Sequence, residues 1–244
     1  VSARLPTATT RRSVLGGMAG GLAALMLPRL SRAQSGITQT RLADGLIVLG
    51  GAGGNVLAVT TGDGLVLVDT GNAEFSTALL ATIGGLSAQG VAAIFNTHWH
   101  PDQVGANTAL GEAGAAIYAH EKTRIRLRSG YYVPAEDRYV AALPAAGLPT
   151  ETYYDRGETT IGGRDFEYGY LLEAHTDGDS YVALADANVI AAGDAIAPDR
   201  DPVLDWYGGG WLGGRLDALE LLLDRSNADT RFVPSYGPVV GRAE

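Results

Sequence analysis

Apolar residues in this chain fall in short runs punctuated by glycine, asparagine and aspartate, the rhythm of strands joined by tight turns. Residues 46–49, 56–60 and 65–69 predict three strands with glycine-containing turns between them, and 73–87 then carries a helical pattern. Further strands are predicted at 91–95, 116–119, 159–161, 166–172, 181–185 and 189–192. A helix over 211–225 precedes a last strand at 231–234. Strands alternating with helices make an α/β chain. The glycines Gly50, Gly51, Gly53 and Gly54 have neither the GxGxxG spacing nor a following lysine, so they predict a tight turn rather than a phosphate cradle.

The first 33 residues break this rhythm. Arg11 and Arg12 precede a mildly apolar stretch, 14–27, and a small-x-small site at Ser31, Arg32 and Ala33. The layout is that of an export signal, and the paired arginines resemble a twin-arginine leader, which carries folded proteins across a bacterial membrane. The apolar stretch is shorter than the ~20 residues of a membrane span. The expectation is therefore a leader over 1–33, one domain over 34–244, a periplasmic or otherwise exported location, and the export machinery as a partner. The sequence is silent on oligomeric state.

Charge narrows the partners. Residues 1–33 hold five arginines (Arg4, Arg11, Arg12, Arg29, Arg32) and no acid, so without them the formal charge of −9 becomes −14. No basic stripe is available for phosphates, which argues against nucleic acid and for a small-molecule substrate. Cysteine is absent. A disulfide framework and a cysteine nucleophile are both excluded.

The chemistry concentrates in NTHWHPDQVGAN, which places His98, His100 and Asp102 within five positions directly after the strand predicted at 91–95. The chain has only four histidines, and two of them stand one residue apart here. Imidazoles and a carboxylate leaving one strand end suit zinc, and also non-haem iron. His175, in the loop between two predicted strands, supplies a third imidazole. Three protein ligands with a position left for water describe a catalytic zinc site rather than a sealed structural one. Asp194 follows another short apolar strand and could hold a second cation or orient the water. His120 opens a predicted helix and reads as a capping or surface residue.

In the order VDTG, THWHPDQ, AHTDGD, AAGD and VPSYGP, these segments resemble the metallo-beta-lactamase superfamily from about Ile47 to the end. The resemblance implies an αββα four-layer sandwich, zinc on His98, His100 and His175, a second site drawing on Asp102 and Asp194, and Asp69 as the group that orients the metal-binding loop. Two positions depart from the pattern: Gln103 and Tyr236 stand where relatives carry histidines. An amide oxygen is a weak zinc ligand, and a phenol must first lose a proton with a pKa near ~10. One tightly held Zn2+, with a second weak or absent, is the expectation. GPVVGRAE stops where relatives continue into a closing helix, so the sequence reads as a C-terminally shortened piece.

The expected activity is a zinc-dependent hydrolase acting on an ester, thioester, lactam or lactone. Metal-activated hydroxide would be the nucleophile, with Asp102 orienting it. Trp99, Trp206 and Tyr207 are candidate pocket walls, the latter two in the aromatic, glycine-rich DRDPVLDWYGGGW. Two alternatives stay open: a non-haem iron dioxygenase of the same fold using His98, His175 and Asp194, and a non-catalytic metal-binding protein.

Overall fold

The computed structural model describes residues 36–244; the leader reading of 1–33 lies outside them. The chain runs β1 (Thr38–Ala43), β2 (Leu46–Gly50), β3 (Val56–Thr61), β4 (Gly64–Val68), α1 (Ser76–Leu86), β5 (Val91–Phe95), α2 (Pro101–Val104), α3 (Asn107–Glu112), β6 (Ala116–His120), α4 (Glu121–Ser129), β7 (Tyr131–Val133), β8 (Arg138–Val140) and β9 (Glu151–Tyr153). It continues through β10 (Arg156–Ile161), β11 (Arg164–Tyr170), β12 (Ser180–Leu184), β13 (Val189–Gly193), α5 (Leu212–Asp224), β14 (Arg231–Pro234) and β15 (Val240–Gly241).

Two sheets form, in the orders β1-β2-β3-β4-β5-β6-β9 and β10-β11-β12-β13-β14-β15, with β7 and β8 as a separate ribbon. Side chains alternate across a strand, and that alternation sets the layers. Leu46, Val48, Leu57, Val59, Val66 and Val68 face Phe166, Val182, Leu184 and Ala191 of the other sheet in one buried core. Their neighbours Leu49, Val56, Leu65 and Leu67 point the other way, onto Leu79 and Ile83 of α1 and Leu110 of α3. On the far side, Tyr181, Ile190 and Ala192 pack on Ala218 and Leu222 of α5. Helix, sheet, sheet and helix thus stack as the αββα sandwich expected, each layer burying one face of the next.

Several boundaries differ from the sequence expectation. The strand 65–69 ends at Val68, and Asp69 turns out of it with φ 62. β10 begins at Arg156, three residues before the run predicted there. The run predicted at 166–172 is β11, which ends at Tyr170, and Leu172 lies exposed beyond it. Tyr131 and Tyr132, outside every strand predicted from the sequence, belong to β7; Tyr131 is buried and Tyr132 exposed.

Topology delivers the chemistry to one place. β4, β5 and β6 run parallel in the first sheet, as do β13 and β14 in the second. The carboxyl ends of β4, β5, β13 and β14 therefore carry Asp69, the His98 segment, Asp194 and Tyr236 respectively. The edge outside such strand ends is where α/β sheets leave a crevice. Backbone bonds join the two sheets at this edge, Asn55 N donating to Ser235 O at 2.7 Å and Ser180 N to Thr97 O at 2.7 Å.

His120 caps α4: its Nδ1 accepts from Lys122 N at 3.3 Å, its Nε2 lies 3.2 Å from Tyr154 O, and its ring stacks on Tyr170 at 3.9 Å. It is a capping residue but a buried one, not a surface one. Burial holds its pKa below the usual histidine value, over the opposing bond to Tyr154. Protonation would turn the accepting Nδ1 into a donor and break the cap. A depressed folded-state pKa means stability is full above the unfolded value of ~6.5 and is lost as pH falls below it. Chemical denaturation of the chain between pH 8 and 5 should show this loss. In His120→Asn, which still caps, its contribution to the slope, at most about 1.4 kcal/mol per pH unit, should vanish.

Candidate metal centre

His98, His100 and His175 each bring one ring nitrogen into a group whose atoms all lie within 4.8 Å of one another. His98 and His100 follow β5, with Pro101 at the first position of α2 turning Asp102 and Gln103 over the site. His175 arrives on the β11–β12 connection. Its backbone N donates to Asp179 Oδ2 at 2.5 Å, and Thr176 N and Oγ1 donate to the same carboxylate.

The remote nitrogen of each ring fixes its tautomer. His175 Nδ1 meets the carbonyl of Val203 at 2.8 Å, and His100 Nε2 meets Asp205 Oδ2 at 3.1 Å, so both must carry the proton. His98 Nδ1 lies 3.1 Å from Thr97 Oγ1, whose own proton goes to Asp69 Oδ2 at 2.7 Å, so His98 Nδ1 is the donor too. As neutral rings with these tautomers, they would aim three lone pairs, on His98 Nε2, His100 Nδ1 and His175 Nε2, at one point. His100 Nδ1 and His175 Nε2 are 3.1 Å apart, and His98 Nε2 is buried with no partner. Converging lone pairs repel unless a cation sits among them, and neutral imidazoles held by donor bonds on their far side are how proteins prepare metal ligands.

The electrostatics agree. Burial drives the His98 pKa well below its usual value, and its two histidine neighbours add to this, so the ring stays neutral and ready to ligate. Burial raises Asp194, with Asp102 adding repulsion and His175 opposing. Burial likewise raises Asp69 over its bonds to Thr97. A nearby divalent cation reverses shifts of this kind in carboxylates. Asp205 is held low: burial would raise it, but bonds from His100 and Gly208 N outweigh that.

The remaining expected residues surround the trio. Asp194 Oδ2 is 3.5 Å from His98 Nε2 and 3.7 Å from His175 Nε2. Asp69 accepts from Thr97 N at 2.8 Å as well as from its hydroxyl, and so grips the segment that carries His98. Gln103 Nε2 donates to Asp102 Oδ2 at 3.0 Å, and the Tyr236 hydroxyl donates to that same oxygen. Burial and this bond keep the Tyr236 phenol protonated far above its usual range. At the two positions where the sequence resemblance implied histidines, these side chains close on Asp102 instead.

An open cleft of about 520 Å³ adjoins the trio. Trp206 and Tyr207 line it exposed, while Trp99 forms its buried floor, donating from Nε1 to Asp177 Oδ1 at 3.0 Å. Trp211 is half-exposed and lies outside it. Asp205, Asp179 and the Val203 carbonyl are the contributors that sequence reasoning missed. Asp205 and Val203 lie in the aromatic segment already singled out, but no spacing relates them to histidines 105 and 28 residues away.

The metallo-beta-lactamase superfamily model matches residues 49–233, and the chain belongs to that superfamily. A metallo-beta-lactamase type 2 of Bacillus sp. (strain 170) is 28% identical over 191 residues, 76% of this chain and 67% of that protein. Among solved structures, a metallo-beta-lactamase from Pontibacter korlensis superposes with a TM-score of 0.68 at 24% identity, over 85% of this chain and 94% of that one. DIM-1 metallo-beta-lactamase follows at 0.66 and 17%, over 85% and 92%. At these identities the two structures speak for the fold alone.

Proposed function

We propose that this chain is a zinc-dependent hydrolase of carbonyl-containing small molecules, with one metal ion held by His98, His100 and His175. The observation that carries the reading is the convergence of three ring nitrogens, each on a ring whose other nitrogen faces an oxygen that can accept its proton. A bound zinc supplies Lewis acidity: it lowers the pKa of a bound water toward ~7 and polarises a carbonyl. The protein does the rest. Asp102, with Oδ2 held by Gln103 and Tyr236, presents its other oxygen to orient water and to take up its proton. Trp99, Trp206 and Tyr207 offer a cleft wall for the substrate body.

Zinc repletion of chelator-stripped protein, assayed on a panel of activated esters, thioesters, lactones and lactams, tests the reading; no turnover on any member would leave a non-catalytic metal-binding protein. Asp194 within 3.7 Å of two histidines favours a second reading, a non-haem iron dioxygenase on His98, His175 and Asp194. Oxygen uptake with a persulfide by the iron form, with an inert zinc form, would select it.

Single-metal stoichiometry rests on Gln103 and Tyr236. Gln103→His is expected to raise bound zinc from about one toward two per chain at equal free zinc, because imidazole is the better ligand. Elemental analysis after dialysis, or anomalous scattering across the zinc edge, reads the number. Two full ions in the unaltered chain would sink the one-metal reading.

A further inference from the structure

We infer that the cleft selects uncharged, ring-bearing carbonyl substrates and discriminates against those carrying a carboxylate; the inference rests on the hydrolase reading above. A site that binds a carboxylate offers it an open guanidinium or ammonium, preferably as a bidentate fork. Among the described residues, each guanidinium that borders the cleft already carries an acid. Arg126 gives Nε and Nη2 to Asp177 Oδ2, at 3.2 and 2.7 Å, while lying over the Trp99 ring. Arg138 is paired with Glu136. Arg200, packed 4.3 Å over the Tyr236 ring, has Asp199 Oδ1 3.3 Å from its Nε. The one lysine of the chain, Lys122, is tied to Tyr170 and Glu173. Arg215 is buried behind Asp194, donating to its carbonyl at 2.8 Å.

The acids are not balanced in the same way. Asp102 and Asp205 open on the cleft beside the trio, with Asp194 behind them, so the positive charge of a bound divalent ion is met by three carboxylates at close range. An incoming anion thus finds no unpaired cation and several like charges. A neutral ring finds the faces of Trp206 and Tyr207 and the apolar Val203 and Leu204. Burial of such surface is favourable without any charge on the ligand.

The test uses the zinc-loaded protein and two esters that share a leaving group: 4-nitrophenyl phenylacetate and the same ester with a para-carboxylate on the phenyl ring. At low ionic strength kcat/KM is expected to favour the neutral ester by roughly tenfold or more, the gap shrinking as salt screens the repulsion. Equal or preferred hydrolysis of the anion would overturn the inference while leaving the hydrolase reading intact. Hydrolysis of neither would hand the hydrolase reading to the wider panel described above. The matched N-benzyl amides, bound without turnover and followed by tryptophan fluorescence, would then decide the selectivity: tighter binding of the neutral amide supports it, and tighter binding of the carboxylate overturns it. Asp177→Asn and Glu136→Gln release Arg126 and Arg138 in turn. Each should shift the anion-to-neutral ratio toward the anion, and a ratio unmoved in both would count against the paired guanidiniums as the cause.

Discussion

Replacing His98 with alanine should remove zinc binding at micromolar free zinc and reduce hydrolysis by a thousandfold or more, while the folded chain persists. His98 Nε2 is buried without a partner, so in the metal-free protein this nitrogen costs stability rather than contributing it. The gain comes only with the cation. A ligand present at a thousand times its dissociation constant stabilises the state that binds it by about 4 kcal/mol. Stripped unaltered protein should therefore gain that order of stability on zinc addition, and His98→Ala should gain almost none. Parallel denaturant titrations with and without zinc read the difference. A zinc increment of equal size in the variant would show that the metal does not sit on the trio.

Asp69→Asn should preserve the fold yet weaken zinc binding by about 10- to 100-fold, the usual cost of disturbing the partner of a metal-bound histidine. Asparagine tolerates the left-handed backbone at this position, where φ is 62. What changes is the direction of a proton chain. Asp69 takes the Thr97 hydroxyl proton, which leaves Thr97 Oγ1 to accept from His98 Nδ1. An amide NH2 facing Thr97 would let the hydroxyl turn and donate to His98 instead. The ring's proton would then move to Nε2, the atom aimed at the metal. A competition titration against a chromophoric chelator measures the affinity, and nitrogen NMR of the histidine rings reads the tautomer. Unchanged affinity would remove Asp69 from the account.

The layers were legible because buried strands announce themselves: the apolar runs at 46–49, 56–60, 91–95 and 189–192 mark β2, β3, β5 and β13. β1 went unseen since TQTRLA is exposed over its first four positions and is held by backbone pairing to β2, which leaves no apolar signature. The short α2 and α3 hide in what reads as a polar loop. There Thr70, Asn96 and Asn107 trade side-chain bonds, with Asn107 Nδ2 donating to Asn96 Oδ1 at 2.8 Å and Thr70 Oγ1 to Asn107 Oδ1 at 2.9 Å. Such a lattice is stable only once the strands have met. For the site, the ligand types and their order along the chain were visible, and the structure brings His98, His100 and His175 together. The supports were not: Val203 contributes only its carbonyl, which no side-chain pattern encodes, and Asp205 is one of several acids in an aperiodic loop.

That loop has two faces. From 203 to 207 it holds His175 through a carbonyl and His100 through a carboxylate, and its next two side chains, Trp206 and Tyr207, form the cleft wall. Any molecule that orders the wall therefore also tightens the grip on two of the three imidazoles. By thermodynamic reciprocity, the metal must raise the affinity for that molecule by the same factor. Ligand range and metal affinity would then be inherited as one trait: a sequence change that reshapes the wall for a new compound would also reset how tightly the three imidazoles hold a metal ion.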